Sequence, residues 1–199
     1  MSNGTGPFAR FIRKNRHTLF HLVLEEYAGF LTRSLPSIEG VVIRRLVYRG
    51  LCKKLGSDAL IYPGAYLTHT YGMEIGDRFS INSGAILDGR GGMHIGNSVM
   101  VGPHAVLVSS THEHRNLDLP MSSQDHIMQP LNIKDDVWIG ANAFIRGGIT
   151  IGKHAVVGAG ACVLGDVADH EIAGGVPART IGDRREHPTV NGKKGESKE

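Results

Sequence analysis

An aliphatic side chain returns at every sixth position over long stretches of this chain. Ile133, Ile139, Ile145, Ile151, Val157 and Val163 follow one another at intervals of six without a miss, and the same register holds at Ile75, Ile81 and Leu87 and again at Ile95, Val101 and Leu107. Such a period fits neither one face of an α-helix, at 3.6 residues, nor the alternation of a strand, at two. It fits a chain that turns a corner every six residues, three corners closing a coil and successive coils stacking anchor on anchor. Glycine directly follows the anchor at Gly76, Gly96, Gly102, Gly140, Gly152 and Gly158, and four places after it the residue is small at Ala85, Ala105, Ala143, Ala155 and Ala161. Glycine and small residues are therefore expected in the tight corners. This accounts for 27 glycines in 199 residues, roughly twice the usual share. With aromatics at only 6 %, the core must be Ile, Val, Leu and Ala, which suits a narrow stack.

The length suits one domain. Residues 1–57 read as an N-terminal helical segment. Phe20, Val23, Leu24, Tyr27, Phe30 and Leu31 recur at helical spacing until Pro36, and Val42, Ile43, Leu46, Val47 and Leu51 share a second face, with Gly56 placed as the residue ending that helix after Leu55. Two such helices cap or dock on a core. Alternatively their basic outer side, with Arg10, Arg13, Lys14 and Arg16, rests on an anionic membrane surface as a peripheral contact. The coil spans 58–182, and 183–199, charged and without anchors, reads as a disordered tail. The coil is broken twice. Leu87 to Ile95 slips by two at Gly89-Arg90-Gly91-Gly92, a bulged corner. Leu107 to Ile133 is 26 residues, four hexads plus two, so a loop (113–132) is expelled behind Ser109-Ser110-Thr111-His112-Glu113-His114. Long loops in compact domains tend to be functional.

The net charge of +3 and pI near 9.0 come from the two ends of the chain, with no basic face interleaved with aromatics, so no nucleic-acid partner is expected. Cys52 and Cys162 lack metal or redox spacing, which points to reduced thiols and a cytoplasmic setting. The apolar stretch Leu19 to Leu31 contains Glu25 and Glu26 and is too short and too charged to span a bilayer. A soluble protein is expected.

Four segments together resemble the hexapeptide-repeat acyltransferases over Ile61 to about Gly182: the Thr111-His112 opening of the loop, Val137-Trp138-Ile139-Gly140-Ala141-Asn142, Val157-Gly158-Ala159-Gly160, and Ala173-Gly174-Gly175-Val176-Pro177-Ala178-Arg179. That family includes galactoside, maltose and nodulation-factor O-acetyltransferases and streptogramin acetyltransferases. The Leu87-Asp88-Gly89-Arg90-Gly91-Gly92 pattern and the helical N-terminus look most like its exopolysaccharide-biosynthesis members. The resemblance implies an all-β main domain, a left-handed parallel β-helix, assembled as a homotrimer with sites between subunits. It implies acetyl-CoA as acyl donor, a sugar-like small molecule or oligosaccharide as acceptor, and no metal.

His112 falls where the last regular hexad gives way to the loop and matches the family's catalytic histidine. An imidazole titrating near neutrality can take the proton of a hydroxyl attacking a thioester and return it to the leaving thiolate. His114 and His126 share the loop as alternatives, and Glu113 is a weak candidate to orient His112. His104 and His154, at corner positions, read as solvated. For the acceptor the resemblance points to Asn82, and Asp88, Arg90 and His114 lie close in sequence to the breaks in the coil. Asn82 serves equally well as a turn residue. For the cofactor it points to Trp138, Ala141, Ala159 and Arg179, whose guanidinium suits phosphate oxygens. Trp138 is equally suited to packing at a corner. Where relatives often carry Thr-Lys before Asp166 this chain has Leu164-Gly165, so phosphate binding leans on Arg184, Arg185 or Lys153. Rival readings are an N-acetyltransferase of a nucleotide-linked amino sugar, a γ-type carbonic anhydrase binding Zn²⁺ through three histidines, and a non-catalytic trimeric scaffold.

Overall fold

The computed structural model describes residues 12, 13 and 16–186. Arg10, Lys14 and most of the expected tail lie outside them. Two helices, α1 (Leu19–Thr32) and α2 (Ser37–Leu51), precede a parallel β-solenoid with three faces. The first face stacks β1 (Lys54–Leu55), β4 (Met73–Ile75), β7 (Met93–Ile95), β12 (Leu131–Ile133) and β15 (Thr150–Ile151). The second stacks β2 (Leu60–Ile61), β5 (Ser80–Ile81), β8 (Met100–Val101), β13 (Trp138–Ile139), β16 (Val156–Val157) and β18 (Glu171–Gly174), closed by antiparallel β19 (Arg179–Asp183). The third stacks β3 (Tyr66–Thr68), β6 (Ile86–Asp88), β9 (Val106–Val108), β14 (Phe144–Ile145) and β17 (Cys162–Val163).

Register follows the anchors. Ile75 pairs with Ile95, which pairs with Ile133, which pairs with Ile151; Leu67, Leu87, Leu107, Ile145 and Val163 form the matching column on the third face. Every one of these is buried. Coils lie one strand spacing apart, about 4.8 Å, which leaves no room for a side chain where corners nest. A Cβ on Gly140 would stand 2.5 Å from the Ala159 nitrogen of the next coil. Glycine after the anchor is thus there for close approach. The left-handed turn itself falls two residues later, and often on residues that are not glycine: Arg78, Ser98, Asp136 and His154 at the first-to-second corner, His104 and Asn142 at the next.

The coil begins earlier than expected. α2 ends at Leu51, and Lys54–Leu55 already pairs with Glu74–Ile75, so Gly56 is a corner of the first coil and not a helix terminus. The far boundary shifts too: Asp183 completes β19 and Arg184–Glu186 form a 3-10 turn, with Arg184 Nη1 2.8 Å from Asp136 Oδ2. Residues 187–199 lie outside the described residues.

The helices are the larger surprise, because their apolar faces point outward. Phe20 is 82 %, Phe30 79 % and Leu46 59 % exposed, while Glu25, Gly29, Thr32, Gly40 and Arg44 are buried. The reason is the open end of the solenoid, whose backbone groups have no next coil to pair with. Glu25 accepts the N–H groups of His69 and Thr70, both at 2.8 Å, and the Thr70 hydroxyl at 2.5 Å. Arg44, fully buried, donates to the carbonyls of Ile61 at 2.7 Å, Leu35 at 2.7 Å and Thr32 at 3.0 Å. Both helices dock through charge-assisted hydrogen bonds, joined at the end of α2 by the buried Tyr48 and Leu51. Arg44→Ala leaves three carbonyls poorly satisfied, and an expected loss of about 3 kcal/mol follows from hydrogen bonds to a charged group; urea unfolding of the variant against the parent measures it.

Candidate active site

The third-to-first corner carries every irregularity of the coil. In the first two coils it is lengthened by a 3-10 turn at Thr70–Gly72 and by Gly89–Gly92; in the third it opens into residues 109–130. That excursion is ordered at its root. β10 (Ser110–His112) pairs antiparallel with β11 (His126–Met128), and His112 stands opposite His126 with ring centroids 4.2 Å apart. His112 is exposed at the lip of this hairpin. Glu113 does not orient it: its Oε1 accepts the N–H groups of His114 and Arg115, both at 2.9 Å, and an Arg115 guanidinium nitrogen. Those bonds, the Arg115 backbone first, hold the Glu113 carboxyl below its usual range. His114 turns back on the hairpin, with Nδ1 3.1 Å from the His112 carbonyl oxygen. The His126 ring lies beside His112 instead, a residue that pattern alone could suggest only as an alternative base.

Beneath the hairpin root lies a buried polar cluster. Ser109 N–H and Oγ–H both donate to the Asp88 carbonyl, at 3.1 and 2.7 Å, and Ser109 Oγ accepts Gly91 N–H at 2.9 Å. This stitches the Asp88–Gly92 corner to the strand leading into His112. The Asp88 carboxylate accepts His69 Nδ1–H at 2.9 Å and Arg90 N–H at 3.0 Å. His69, with φ of +55°, is held in turn by Glu25 through its backbone and touched edge-on by Tyr71. Burial alone would raise the Asp88 pKa, but the hydrogen bonds from His69 and Arg90 outweigh it and leave the carboxyl below its usual range. His69 carries no repeat signature, so only the stacking of coils reveals it.

The other expected residues occupy a different corner. Asn82 sits between the second and third faces, its Nδ2–H donating to Val101 O at 3.1 Å, which is a turn role. Ala141 and Ala159 stack at that same corner in successive coils, and Gly160 N–H reaches Ala141 O. Trp138 is not at a corner: it faces outward at mid-strand on β13, 51 % exposed, in line with Met100 and Val156. Asn82 lies at the second-to-third corner and Asp88 at the third-to-first, on opposite sides of the third face, with the chain turning at Gly84 before β6 begins at Ile86. One chain joins Asp88, Arg90 and His114 to His112; Asn82, Trp138, Ala141 and Ala159 stand away from it.

Arg179 is exposed at the terminal end of the coil, lining a groove of about 490 Å³ with Leu164, Asp166 and Glu171. Arg184 and Arg185 do not supply the missing lysine here: the first is held by Asp136 and the second by Asp183, at 2.6 Å. His154 is likewise engaged, 2.7 Å from Asp136 and stacked on His170 at 5.0 Å, whereas His104 is solvated. Arg146 reaches the altered position, its Nη1 3.5 Å from the Leu164 carbonyl oxygen. Its place in a hexad hid it. Cys52 is buried, its thiol pushed up to about 12 by burial and by Glu25, so it is inert near neutral pH. No disulfide joins the two cysteines.

Comparison with known proteins agrees with this fold. Residues 131–165 match the family model described as bacterial transferase hexapeptide (six repeats). The chain is 29 % identical over 148 residues to galactoside O-acetyltransferase of Escherichia coli, covering 72 % of this chain and 71 % of that enzyme. In structure it resembles a hexapeptide-repeat acetyltransferase of Vibrio cholerae solved with acetyl-CoA, with a TM-score of 0.73 at 29 % identity over 84 % of this chain and 88 % of that one. It also resembles a galactoside acetyltransferase solved with coenzyme A, with a TM-score of 0.77 at 25 % identity over 99 % and 93 %. The solenoid is thus the left-handed β-helix of those enzymes.

The Asp88 cluster gives a pH test. Because the folded carboxyl lies below its unfolded value, the unfolded chain binds more protons in acid; the stabilisation is complete above the ordinary carboxylate pKa of about 4 and fades as pH falls below it. Thermal midpoints recorded from pH 7 to pH 3 should fall less steeply for Asp88→Asn than for the parent.

Proposed function

We propose that this chain, a hexapeptide-repeat acetyltransferase by its repeat, its fold and its relatives, moves the acetyl group of acetyl-CoA to a hydroxyl of a saccharide, with His112 as general base. The observation that carries the reading is the break in the coil: where every other hexad closes on itself, the chain leaves the solenoid to present His112 at the lip of a hairpin, braced on the buried His69–Asp88 pair. His112 takes the proton as the acceptor oxygen attacks the thioester carbonyl carbon. The C–S bond then breaks, and the same proton passes to the departing thiolate, releasing coenzyme A. His126, beside the ring, limits how His112 can turn. Asp88 and Arg90 offer the acceptor a carboxylate and a guanidinium at the same corner.

The protein acts as a homotrimer, with each site built between two protomers. Two features support this. The candidate residues divide between two corners of one chain, so a second copy is needed to bring Asn82, Trp138, Ala141 and Ala159 to the His112 corner. The outward columns differ as well: the first face is polar (Lys54, Glu74, His94, Asn132), while the other two carry Leu60, Met100 and Trp138, and Ile86, Val106 and Phe144. Apolar outer faces are the ones that association buries. Acetyl-CoA lies along the second face past Trp138 and the Ala141–Ala159 corner, with its phosphates towards Arg179 and Arg146.

Thiol release from acetyl-CoA across a panel of sugars and oligosaccharides, with products weighed by mass spectrometry, tests the activity. Alkali-labile esters are expected; acid-stable amides would show that the acceptor is an amine. His112→Ala should keep the assembly mass of the parent and lose on the order of a hundred to ten thousand fold in turnover, and full activity would remove His112 from the chemistry. Arg146→Gln with Arg179→Gln should raise the KM for acetyl-CoA by about tenfold or more with turnover nearly intact, since a charge-assisted contact to phosphate contributes about 1.5–3 kcal/mol. Steady-state kinetics with acetyl-CoA varied separates the two effects.

A further inference from the structure

The outward faces of the two N-terminal helices are unlike any other surface of the described chain. On α1, Phe20, Val23, Leu24, Tyr27, Phe30 and Leu31 form one stripe at helical spacing, 47 to 82 % exposed. On α2, Ile38, Val42, Ile43 and Leu46 form another, 40 to 79 % exposed. A soluble helix normally turns such a stripe inward. Here the inner side is already taken by Glu25 and Arg44 closing the open end of the solenoid, so the apolar stripes cannot rotate inward without breaking those bonds.

Charge indicates what covers them. Residues 1–54 hold ten Lys and Arg against three Glu, a balance of +7, in a chain whose total is +3; the rest is therefore −4. Several of these charges are engaged: Glu25 and Arg44 are buried and spent on the backbone, Arg33 stacks on Tyr66, Arg45 and Lys53 pair with Asp58 and Glu74 at 3.7 and 2.6 Å, and Glu26 accepts the Tyr66 hydroxyl at 2.6 Å, while Glu39 stays exposed. Arg13, Arg16 and Arg49 are exposed beside the stripes. Two helical ends of like charge repel one another, which disfavours helix-to-helix pairing of two copies. Apolar stripes bordered by arginines suit a surface that is greasy and anionic together. Neither helix, at 14 and 15 residues, is long enough to cross a bilayer, and no described helix qualifies as a span.

We infer that the exposed faces of α1 and α2 form a membrane-docking surface that seats the open end of the solenoid on anionic lipid. The apolar side chains enter the boundary between headgroups and acyl chains, and the arginines lie among the phosphates, leaving the solenoid projecting into water. The α2 end of this surface adjoins the second face, where Ile38 lines one apolar groove with Leu60 and Tyr62; the α1 stripe carries the larger exposed side chains.

Flotation of the full chain with vesicles tests the proposal. Vesicles of phosphatidylcholine with 30 % phosphatidylglycerol should retain at least tenfold more protein than pure phosphatidylcholine at about 0.1 M salt, and 0.5 M salt should weaken that retention. Phe20→Ser, Phe30→Ser and Leu46→Ser combined should lower retention at least tenfold, as should Arg13→Gln, Arg16→Gln and Arg49→Gln combined. Each set should keep the parent's circular dichroism, sedimentation mass and thiol release with a soluble acceptor. Equal retention on both vesicle types, or none on either, overturns the proposal. So does a fall in sedimentation mass of the serine variant, which would make the stripes a contact between copies.

Discussion

Each anchor of the solenoid is buried against the same position of the coil above and the coil below, and backbone hydrogen bonds run from coil to coil at that spacing. A residue therefore cannot be added or removed within a coil unless it leaves the stack at a corner, because a slip would take every later anchor out of its column. The third-to-first corner is where the chain uses this freedom. It carries the Thr70–Gly72 turn, the Asp88–Gly92 bulge and the hairpin bearing His112 in three consecutive coils, so the irregular residues are placed next to one another by a scaffold that is regular everywhere else. The His69–Asp88 pair, the Ser109 stitch and the His112–His126 contact all result from that stacking.

The same constraint creates a problem at the end of the stack. A solenoid has a first coil whose backbone groups face nothing, and an apolar helix laid across it would leave them unsatisfied. Buried N–H and C=O groups without partners cost more than apolar cover returns, so a carboxylate and a guanidinium do the work: Glu25 takes the N–H groups of His69 and Thr70, and Arg44 serves the Ile61 carbonyl and two carbonyls around the end of α1. The consequence reaches the surface. Helices docked largely by their polar side show water the apolar stripes on the other.

Regularity also divides the candidate residues between two corners of the chain. A stacked solenoid offers three flat faces and three straight corners. Asp88, Arg90, His112 and His114 lie at one corner, and Asn82, Ala141 and Ala159 at another, with Trp138 on the second face. The proposed assembly would set two such prisms side by side, bringing these corners together around a concave site.

The period of six, visible as Ile and Val at fixed intervals, determined the fold class, the buried columns and the point at which the chain departs from them, and with that point the position of His112. It did so because an anchor's burial depends only on its place in the repeat. The cofactor and acceptor readings at Asn82, Ala141, Ala159 and Arg179 came from resemblance of short motifs. Tertiary structure decided what spacing cannot encode. Helical periodicity marked an apolar stripe on each N-terminal helix but not the direction it faces, which depends on what the open coil requires. Glu113 neighbours His112 in sequence yet is spent on its own turn, whereas His126, fourteen residues on, lies against the imidazole because the loop folds back as a hairpin. His69 and Arg146 carried no signal beyond their residue type; each acquires its partners, Asp88 and the Leu164 carbonyl, only when coils some twenty residues apart are stacked.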